Sequence, residues 1–506
     1  MKSKDIKFGA VFSYILIFAN TLYGLFFTPF LVSALGEGEY GVYKIIGSLV
    51  SSIEIFDLGI GGTMLRFVAK FNAEDDKRNL ENFSAMGLVE AGILSAIMSV
   101  VCCGIFFSID GLYGDSLTSA ELAKAKHLFV LFTVILVLNI FEKVIYNVVA
   151  GCEHFALANG LKVIRIGSKA LLGYLIISNI PNSVYLMWID IFIVATIIVI
   201  QLVYIRIRIC RIRLHKWDTT LFKSSGKYTI LMFLQSLAIQ MNGNIDNMVI
   251  GAVEGAAAVT VYSIGLQLYN MYEHFAMAFS DLMLPTVSKQ IANGASNCEL
   301  EDTVIKVGRL EFIALGGALV AYIVIGQEFI HLWMGDGFEF AWVVGLILMV
   351  PTTIPLIQNV SISILRAKNR MAFRTVAVFC MAILNLFITV IGVKLYGAVA
   401  ACFGTALGIV VANIIAMNIY YYRVIHLNVF RIFKGILSRT WICCLLSAAA
   451  LVAVNNLLQG GWKIWMIKAI IFCLLYGFLL LLFGFNKYEK KSLLGIFLKR
   501  RKINEN

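Results

Sequence analysis

The chain has little charge and little proline. Only 14% of its 506 residues are charged and only 5 are proline, whereas 60% are hydrophobic. A soluble domain does not carry this excess of apolar residues, because it cannot bury all of them in one core. The composition therefore excludes a soluble globular protein and predicts an all-α polytopic membrane protein.

The sequence also lacks the usual patterns of a catalytic or nucleotide-binding site. Its ten cysteines show neither metal-site nor disulfide spacing. Ser225-Gly226-Lys227 has no upstream glycine partner, so no phosphate-binding loop for ATP is formed. The chain has no D-x-D pattern and no long run of polar residues outside the apolar segments. These absences argue against an enzyme, and we expect no catalytic residues, no metal and no cofactor.

What the sequence does contain is a series of long apolar runs. Crossing about 30 Å of hydrocarbon takes roughly 20 helical residues. Pro29 predicts a kink in the first run, and Pro351 and Pro355 predict a bend in the tenth. The fourteen predicted spans are 9–34, 42–66, 84–107, 127–150, 161–180, 184–205, 227–251, 256–286, 308–330, 340–365, 374–394, 397–420, 439–458 and 464–484.

The net charge of +12 is distributed between alternate loops. A single basic patch would indicate nucleic acid, whereas this alternation is the bias of cytoplasmic loops. It predicts that both termini are cytoplasmic and that nucleic acid is not a partner. The lysines left on the outside are Lys124, Lys126, Lys394 and Lys463. The lysines left inside the membrane are Lys44, Lys143, Lys169 and Lys468.

The densest basic cluster lies between the sixth and seventh spans and predicts the boundary between two halves. Six spans are an even number, so both halves enter the membrane from the same side and form parallel repeats. The predicted parts are a six-helix bundle at 1–205, a basic cytoplasmic linker at 206–226, a second six-helix bundle at 227–422, two further helices at 423–484 and a basic tail at 485–506.

One sequence motif occurs in both halves, which supports this duplication. The segment from Gly36 to Phe56 is repeated, at one constant separation, from Gly255 to Phe275. The matching pairs are Gly36 and Gly255, Val42 and Val261, Tyr43 and Tyr262, Ile45 and Ile264, Leu49 and Leu268, Glu54 and Glu273, and Phe56 and Phe275. The repeat places an acidic residue at the same depth of two spans, with a glycine at the turn before each span.

Several polar residues lie within the predicted spans, where an ionised group costs several kcal/mol unless it has a partner or faces water. Glu54 and Asp57 share one face of the second span, because they lie one turn apart. We predict that they line a hydrated substrate or ion cleft, although such residues also join helices by hydrogen bonds. The cleft residues are Glu54, Asp57, Asn242, Asp246, Asn270, Glu273 and His274.

Four basic residues are candidates for binding a pyrophosphate group, because guanidinium and ammonium groups pair with its oxygens. These candidates are Arg66, Lys143, Arg165 and Lys169. Two alternative roles remain open for them. Arg66 and Arg165 fit ordinary positive-inside topology, and Lys143 and Lys169 fit a structural ion pair with Glu142.

The turn between the first two spans resembles a known family. It reads Leu35-Gly36-Glu37-Gly38-Glu39-Tyr40-Gly41-Val42-Tyr43, followed by Asp57-Leu58-Gly59 and Arg66. Asp246, Gly251, Gly255 and Tyr262 resemble the equivalent signature at the seventh and eighth spans, and Tyr396-Gly397-Ala398 opens the twelfth. These motifs, with the count of six, six and two spans, are similar to those of polysaccharide biosynthesis proteins, the Wzx-type oligosaccharide flippases.

The resemblance implies a fold like that of the multidrug and toxin extruders and the lipid II flippase. It implies movement of an undecaprenyl-diphosphate-linked sugar unit to the outer leaflet of the bacterial inner membrane, driven by an H⁺ or Na⁺ gradient. The expected partners are this lipid-linked oligosaccharide, membrane lipids, a polysaccharide polymerase and glycosyltransferases. Asp246 and Arg66 match family positions, whereas Glu54, Glu273 and His274 are assigned on physical grounds alone.

Two other functions remain open on the sequence alone. A multidrug extruder of the same superfamily would favour an aromatic, acidic cleft, and Arg66, Lys143 and Lys169 argue against it. A membrane glycosyltransferase or polysaccharide polymerase would need a sizeable catalytic region, and the short loops offer none.

We predict the topology that the charge bias implies. A fluorescent protein fused after Asn506 should fluoresce, because it stays in the cytoplasm, and alkaline phosphatase fused at the same point should be inactive. Alkaline phosphatase inserted in the predicted outer loop at 108–126 should be active. Active phosphatase at the C-terminus would contradict the assignment.

Overall fold

Helices make up the secondary structure of every described segment. The structure, a computed structural model, describes residue 12 and residues 15–54, 60–216, 244–280, 283–486 and 489–490. Within these ranges it has eighteen helices and no β-strand. The predicted all-α fold is therefore confirmed.

The chain forms two compact units, of which the first comprises Met1–Ser263 and Val378–Gly404. The helices that begin in this unit are α1 (Ile15–Leu35), α2 (Glu37–Glu54), α3 (Ile60–Ala73), α4 (Lys77–Tyr113), α5 (Ser119–Gly151), α6 (Phe155–Ile177), α7 (Ser183–Arg208), α8 (244–253), α9 (Ala256–Ser280) and α15 (Ala398–Arg423). Within the unit, α5 packs against α2, α3, α4 and α7.

The second unit comprises Ile264–Ala377 and Thr405–Asn506. The helices that begin in it are α10 (Leu284–Ala292), α11 (Asn297–Met334), α12 (Glu339–Leu356), α13 (Val360–Ala367), α14 (Ala372–Tyr396), α16 (Val429–Leu437), α17 (Thr440–Leu457) and α18 (Trp462–Gly484). Helices α9, α14 and α15 contribute residues to both units. The predicted linker at 206–226 lies partly outside the described residues, so the predicted domain boundaries stay predictions.

The chain is a multi-pass membrane protein. Ten described helices are long and apolar enough to cross a bilayer, namely α1, α4, α5, α7, α11, α12, α14, α15, α17 and α18. The other four predicted spans, 42–66, 161–180, 227–251 and 256–286, are those that carry most of the candidate site residues. Helix α6, for example, is less apolar because Lys162, Arg165 and Lys169 lie within its 23 residues.

The two repeated segments begin at equivalent turns and contact each other inside the first unit. Gly36 and Gly255 have φ values of +80° and +86°, a left-handed conformation that glycine adopts without a Cβ clash. Helices α2 and α9 then cross closely, because a Cβ on Gly41 would overlap the carbonyl oxygen of Ala256. Thr260 Oγ1 also donates to the Glu37 carbonyl oxygen at 2.6 Å.

A carboxylate near each of these turns caps the start of another helix in the first unit. The Glu39 carboxylate accepts hydrogen bonds from the backbone N–H of Ser183 and from Lys124. Glu254 Oε1 accepts the backbone N–H of Ala398 at 3.1 Å. Ser183 and Ala398 open α7 and α15, so each half uses one carboxylate to satisfy a free helix N–H.

Helix irregularities lie close to the prolines that predict a kink and a bend. Residues 340–365 form two helices rather than the single predicted span, because α12 ends at Leu356, directly after Pro355. Each proline removes a backbone donor and disfavours helix continuation. In α1, a π-helical turn over Tyr23–Phe27 directly precedes the segment that contains Pro29.

A buried arginine joins α11 to the ends of α16 and α18 within the second unit. Arg309, on α11, is 2% exposed. Its guanidinium donates to both Glu489 oxygens at 2.8 and 3.2 Å. It also donates to the carbonyl oxygens of Gly435, Ser438 and Gly484 at 2.9–3.0 Å. All five N–H groups of this side chain are therefore used, and three of them satisfy carbonyls at the ends of α16 and α18.

A second buried cation, on α18, joins α11 to α17 nearer the opposite end of α11. Lys468, on α18, is 1% exposed and donates to Glu328 of α11 at 2.6 Å and to Asn455 of α17 at 2.8 Å. Arg309 and Glu328 are separated by about 28 Å along α11, at about 1.5 Å per residue, which is close to the roughly 30 Å thickness of hydrocarbon. An apolar cluster that includes Leu451, Phe472 and Tyr476 lies among these helices.

We predict that Arg309→Lys destabilises the protein by about 3 kcal/mol, because lysine cannot reach the three carbonyls and Glu489 together. The unfolding temperature of the purified protein should fall, as measured by fluorescence-detected gel filtration after heating. Arg423→Lys, the same change at an exposed residue that ends α15, is the control and should leave it unchanged. Equal stability of the two variants would contradict this role.

Candidate functional site

Three cations lie on one face of α6 in the first unit. Lys162, Arg165 and Lys169 are spaced i, i+3 and i+7, and this spacing places them in one stripe along a helix. The stripe rises about 10 Å, at about 1.5 Å per residue. All three residues are partly exposed, and Lys162 and Arg165 line a cavity.

The carboxylate of Asp190, on α7, lies between two of these cations. Lys169 Nζ donates to Asp190 Oδ2 at 2.7 Å. Arg165 donates to Asp190 Oδ1 through Nη2 at 3.2 Å and through Nε at 3.3 Å. The third interaction of Arg165 is a 3.3 Å hydrogen bond from Nη1 to Asn139 Oδ1 on α5. One buried carboxylate thus serves two cations.

A cavity of about 220 Å³ opens beside the stripe within the first unit. Its polar lining comes from Asn20, Glu142, Lys162 and Arg165, and its apolar lining includes Ile197. The Lys162 ammonium lies 3.6 Å from the centre of the Tyr146 ring, in cation–π contact. The cavity therefore combines two cations, one carboxylate and an apolar wall.

Glu54 and Lys143 approach each other on neighbouring helices. Glu54 is the last residue of α2, and its Oε1 lies 4.0 Å from Lys143 Nζ of α5. The adjacent Glu142 accepts a 3.4 Å hydrogen bond from Gln201 of α7. The sequence suggested Glu142 as the ion-pair partner of Lys143 and Lys169. In the structure, Lys143 pairs with Glu54 and Lys169 pairs with Asp190.

Asp246, on α8, is buried in the first unit, where 3% of its surface is exposed. Its Oδ2 accepts a 2.6 Å hydrogen bond from Tyr262 Oη of α9. Its Oδ1 accepts a 3.3 Å hydrogen bond from Thr389 Oγ1 of α14, beside Asn385. A buried carboxylate among hydroxyl and amide groups is a chemically suitable place for a proton or a small cation.

Glu273 lies in the second unit, in a separate small cavity of about 80 Å³. The cavity is lined by Glu273, Tyr269, Arg374 and Tyr421, among others. The Arg374 guanidinium interacts electrostatically with the Glu273 carboxylate. This chamber is acidic, basic and aromatic at once, so its composition alone does not select one class of ligand.

The remaining predicted site residues fall into two groups. Asn270 and His274 of α9 and Arg66 of α3 are exposed. Asp57 and Asn242 lie outside the described residues. The structure therefore brings together Arg165 and Lys169 in one cluster and Glu54 and Lys143 in another, and it places Asp246 and Glu273 in different units.

Sequence reasoning missed Asp190, the carboxylate that organises the cation stripe. The signal was available, because Asp190 is an acidic residue inside the apolar run 184–205. The rule that selected Glu54 and Asp246, a costly charge within a span, applies equally to it.

One group of three potential metal ligands occurs among the described residues. His331, Asp336 and Glu339 bring their ligand atoms within 4.8 Å of one another between α11 and α12. All three are exposed, and the group shares no residue with the clusters above. We assign it no role.

Comparison with known proteins gives a family and a fold. Residues 8–291 match the family described as polysaccharide biosynthesis protein. A curated relative, the putative O-antigen transporter of Salmonella typhi, is 22% identical over 409 residues, which cover 78% of this chain and 90% of the relative.

Two groups of solved structures share the fold. The lipid II flippase MurJ in an inward closed conformation superimposes with a TM-score of 0.71 at 14% identity, covering 93% of this chain and 98% of that one. An inward-facing multidrug resistance MATE family transporter of the MOP superfamily gives a TM-score of 0.64 at 13% identity, covering 88% of this chain and 96% of that one. The long coverage shows that most of the chain has this fold.

Proposed function

Because the chain belongs to the polysaccharide biosynthesis protein family, we propose that it is a flippase for lipid-linked oligosaccharides. Its cargo is an undecaprenyl-diphosphate-linked repeat unit of a surface polysaccharide. It moves this cargo from the cytoplasmic to the outer leaflet of the bacterial inner membrane. The fold shared with a lipid II flippase and the similarity to an O-antigen transporter support this assignment.

The observation that carries the proposal is the cation stripe beside the 220 Å³ cavity of the first unit. A diphosphate crossing the membrane needs hydrogen-bond donors and positive charge in place of water. Lys162, Arg165 and Lys169 supply these along about 10 Å of one helix. Arg165 suits the position because its planar fork matches phosphate oxygens.

The energetics favour this direction of movement. The prenyl tail remains in the lipid, so the protein shields only the sugar and the diphosphate. The inside-negative membrane potential favours outward movement of an anion by about 2.3 kcal/mol per charge at 100 mV. Transport proceeds by alternating access and breaks no covalent bond, so the protein is not an enzyme.

We assign the coupling ion to Asp246. Its buried carboxylate binds H⁺ or Na⁺ with the help of Tyr262 and Thr389, which already donate hydrogen bonds to it. Binding of a cation removes a buried charge, so it shifts the equilibrium between the conformations that expose and enclose this carboxylate. The ion gradient thereby drives the change of conformation that transports the cargo.

A second candidate function is a cation-coupled multidrug extruder. The feature that favours it is the pair of Tyr269 and Tyr421 beside Glu273 in the second unit, because aromatic rings and a carboxylate suit cationic drugs. Arg374 in the same chamber opposes such cargo. The cation stripe of the first unit disfavours such cargo by repulsion. A membrane glycosyltransferase or polysaccharide polymerase is the least supported function; such enzymes, with membrane lipids, are instead proposed as partners.

We predict that deletion of the gene leaves lipid-linked repeat units on the inner leaflet and removes the surface polysaccharide. The trapped units are measured by their protection from a membrane-impermeant glycosidase added to intact spheroplasts. Unchanged surface polysaccharide together with increased drug sensitivity would instead indicate the extruder. Sugar transfer catalysed by the purified protein would indicate an enzyme.

We predict that Asp246→Asn and Glu54→Gln each reduce export about tenfold, the effect of losing one charge-assisted interaction of about 1.4 kcal/mol. Membrane abundance, measured by immunoblot, should not change. Glu74→Gln is a matched control, because Glu74 pairs with Lys70 at the same 4.0 Å as Glu54 with Lys143 but is 54% exposed. Normal export by both site variants would remove these residues from the mechanism.

A further inference from the structure

The ion cluster of Asp190, Arg165 and Lys169 has an uneven distribution of exposure. The Asp190 side chain is 8% exposed, whereas those of Arg165 and Lys169 are 27% and 17% exposed. The carboxylate is therefore less accessible than the cations it pairs with. An anion in the cavity of the first unit can reach Arg165, which lines it, without first contacting the carboxylate.

We propose that Asp190 is a place-holding anion, which neutralises Arg165 and Lys169 in the empty protein and is displaced from Arg165 by the diphosphate of the cargo. This inference rests on the proposed function, since it specifies how the cargo is bound and released at the same site. Asp190 is a positioning residue, because it acts through the two cations and does not itself bind the cargo.

The hydrogen-bond geometry indicates which of the two cations changes its anionic partner. Both Arg165 contacts go to the single oxygen Oδ1, at 3.2 and 3.3 Å, whereas charge-assisted N–H···O bonds are normally about 2.7–2.9 Å. Lys169 holds Oδ2 at 2.7 Å, within that range. The guanidinium is thus held loosely and the ammonium firmly.

A diphosphate offers Arg165 what Asp190 does not. Its several oxygens allow two parallel N–H···O bonds, the arrangement that guanidinium forms best with phosphate. Arg165 also lines the cavity, so it can turn to a ligand there while Lys169 remains near Asp190. Binding therefore replaces a one-oxygen contact by a two-oxygen contact.

The exchange also explains how the cargo leaves. Two uncompensated cations inside the membrane would hold a diphosphate too tightly, since an unpaired buried charge is costly. A transport site must bind well enough to load and weakly enough to unload. The Asp190 carboxylate competes for Arg165 and neutralises Lys169, so it lowers the affinity and speeds release. Glu142 also lines the cavity, but Asp190 is the carboxylate that contacts both cations.

The test compares binding of undecaprenyl diphosphate to the full-length protein in lipid nanodiscs. Asp190→Asn should bind about tenfold more tightly, because a competing charge worth about 1.4 kcal/mol is removed. Arg165→Gln should bind about tenfold more weakly. Asp110→Asn is the matched control, because it removes a carboxylate that pairs with Lys126 at 2.6 Å outside this cluster, and its affinity should equal that of the unaltered chain.

A transport assay separates this role from a structural one. In proteoliposomes, the Asp190→Asn variant should transport undecaprenyl diphosphate several-fold more slowly than the unaltered chain. It binds this lipid more tightly, so release of the lipid is delayed. A salt bridge that only supports the fold would, when broken, lower affinity and turnover together. Equal or weaker binding by Asp190→Asn overturns the inference, and turnover that is not reduced does so too.

A second comparison tests the inference if the Asp190→Asn protein does not accumulate in the membrane. Lys169→Gln and the double variant Lys169→Gln/Asp190→Asn are compared in the same binding assay. The double variant should bind more tightly than the single one, since only the double variant frees Arg165 from its competitor. The reverse order overturns the inference. Absence of binding by the unaltered chain would instead contradict the proposed function.

Discussion

Placing charge in hydrocarbon is the constraint on which the rest of this structure depends. An ionised side chain there needs a partner or water, and a pair broken by loss of one member leaves a costly buried charge. The described structure meets this requirement by pairing charges between different helices, so that neutralisation and helix packing are the same event. The pairs are Asp190 with Arg165 and Lys169, Glu54 with Lys143, Glu328 with Lys468, and Glu489 with Arg309.

These pairs fall into two kinds with different exposure. Arg309 and Lys468 are 2% and 1% exposed and hold α11 to the C-terminal helices, so they are suited to permanent support. Arg165 and Lys169 are partly exposed, and Arg165 lines a cavity, so this cluster is suited to an exchange of partners at Arg165. The same chemistry therefore fastens one unit and forms the proposed binding site in the other, and solvent access distinguishes the two roles.

Much of the fold could be predicted because hydropathy reports directly on the bilayer. Helix ends were less predictable: α4 covers Lys77–Tyr113 where the apolar run suggested 84–107, since helices continue past the hydrocarbon into polar surroundings. The site was predicted only in part. Arg165, Lys169 and Lys143 were found as charges in the membrane, but their partners Asp190 and Glu54 could not be assigned, because one helical face does not reveal which neighbour it meets.

The sequence by itself determined the membrane location, the repeated sequence motif, the turns at Gly36 and Gly255 and the family. These features depend on composition and on local backbone conformation. The tertiary structure alone decided that Asp190 serves two cations of α6, that Asp246 meets Tyr262 and Thr389, and that the two repeated segments touch at Gly41 and Ala256. The physical reason is that pairing energies act over a few ångströms between helices distant in the chain, and only folding brings those helices together.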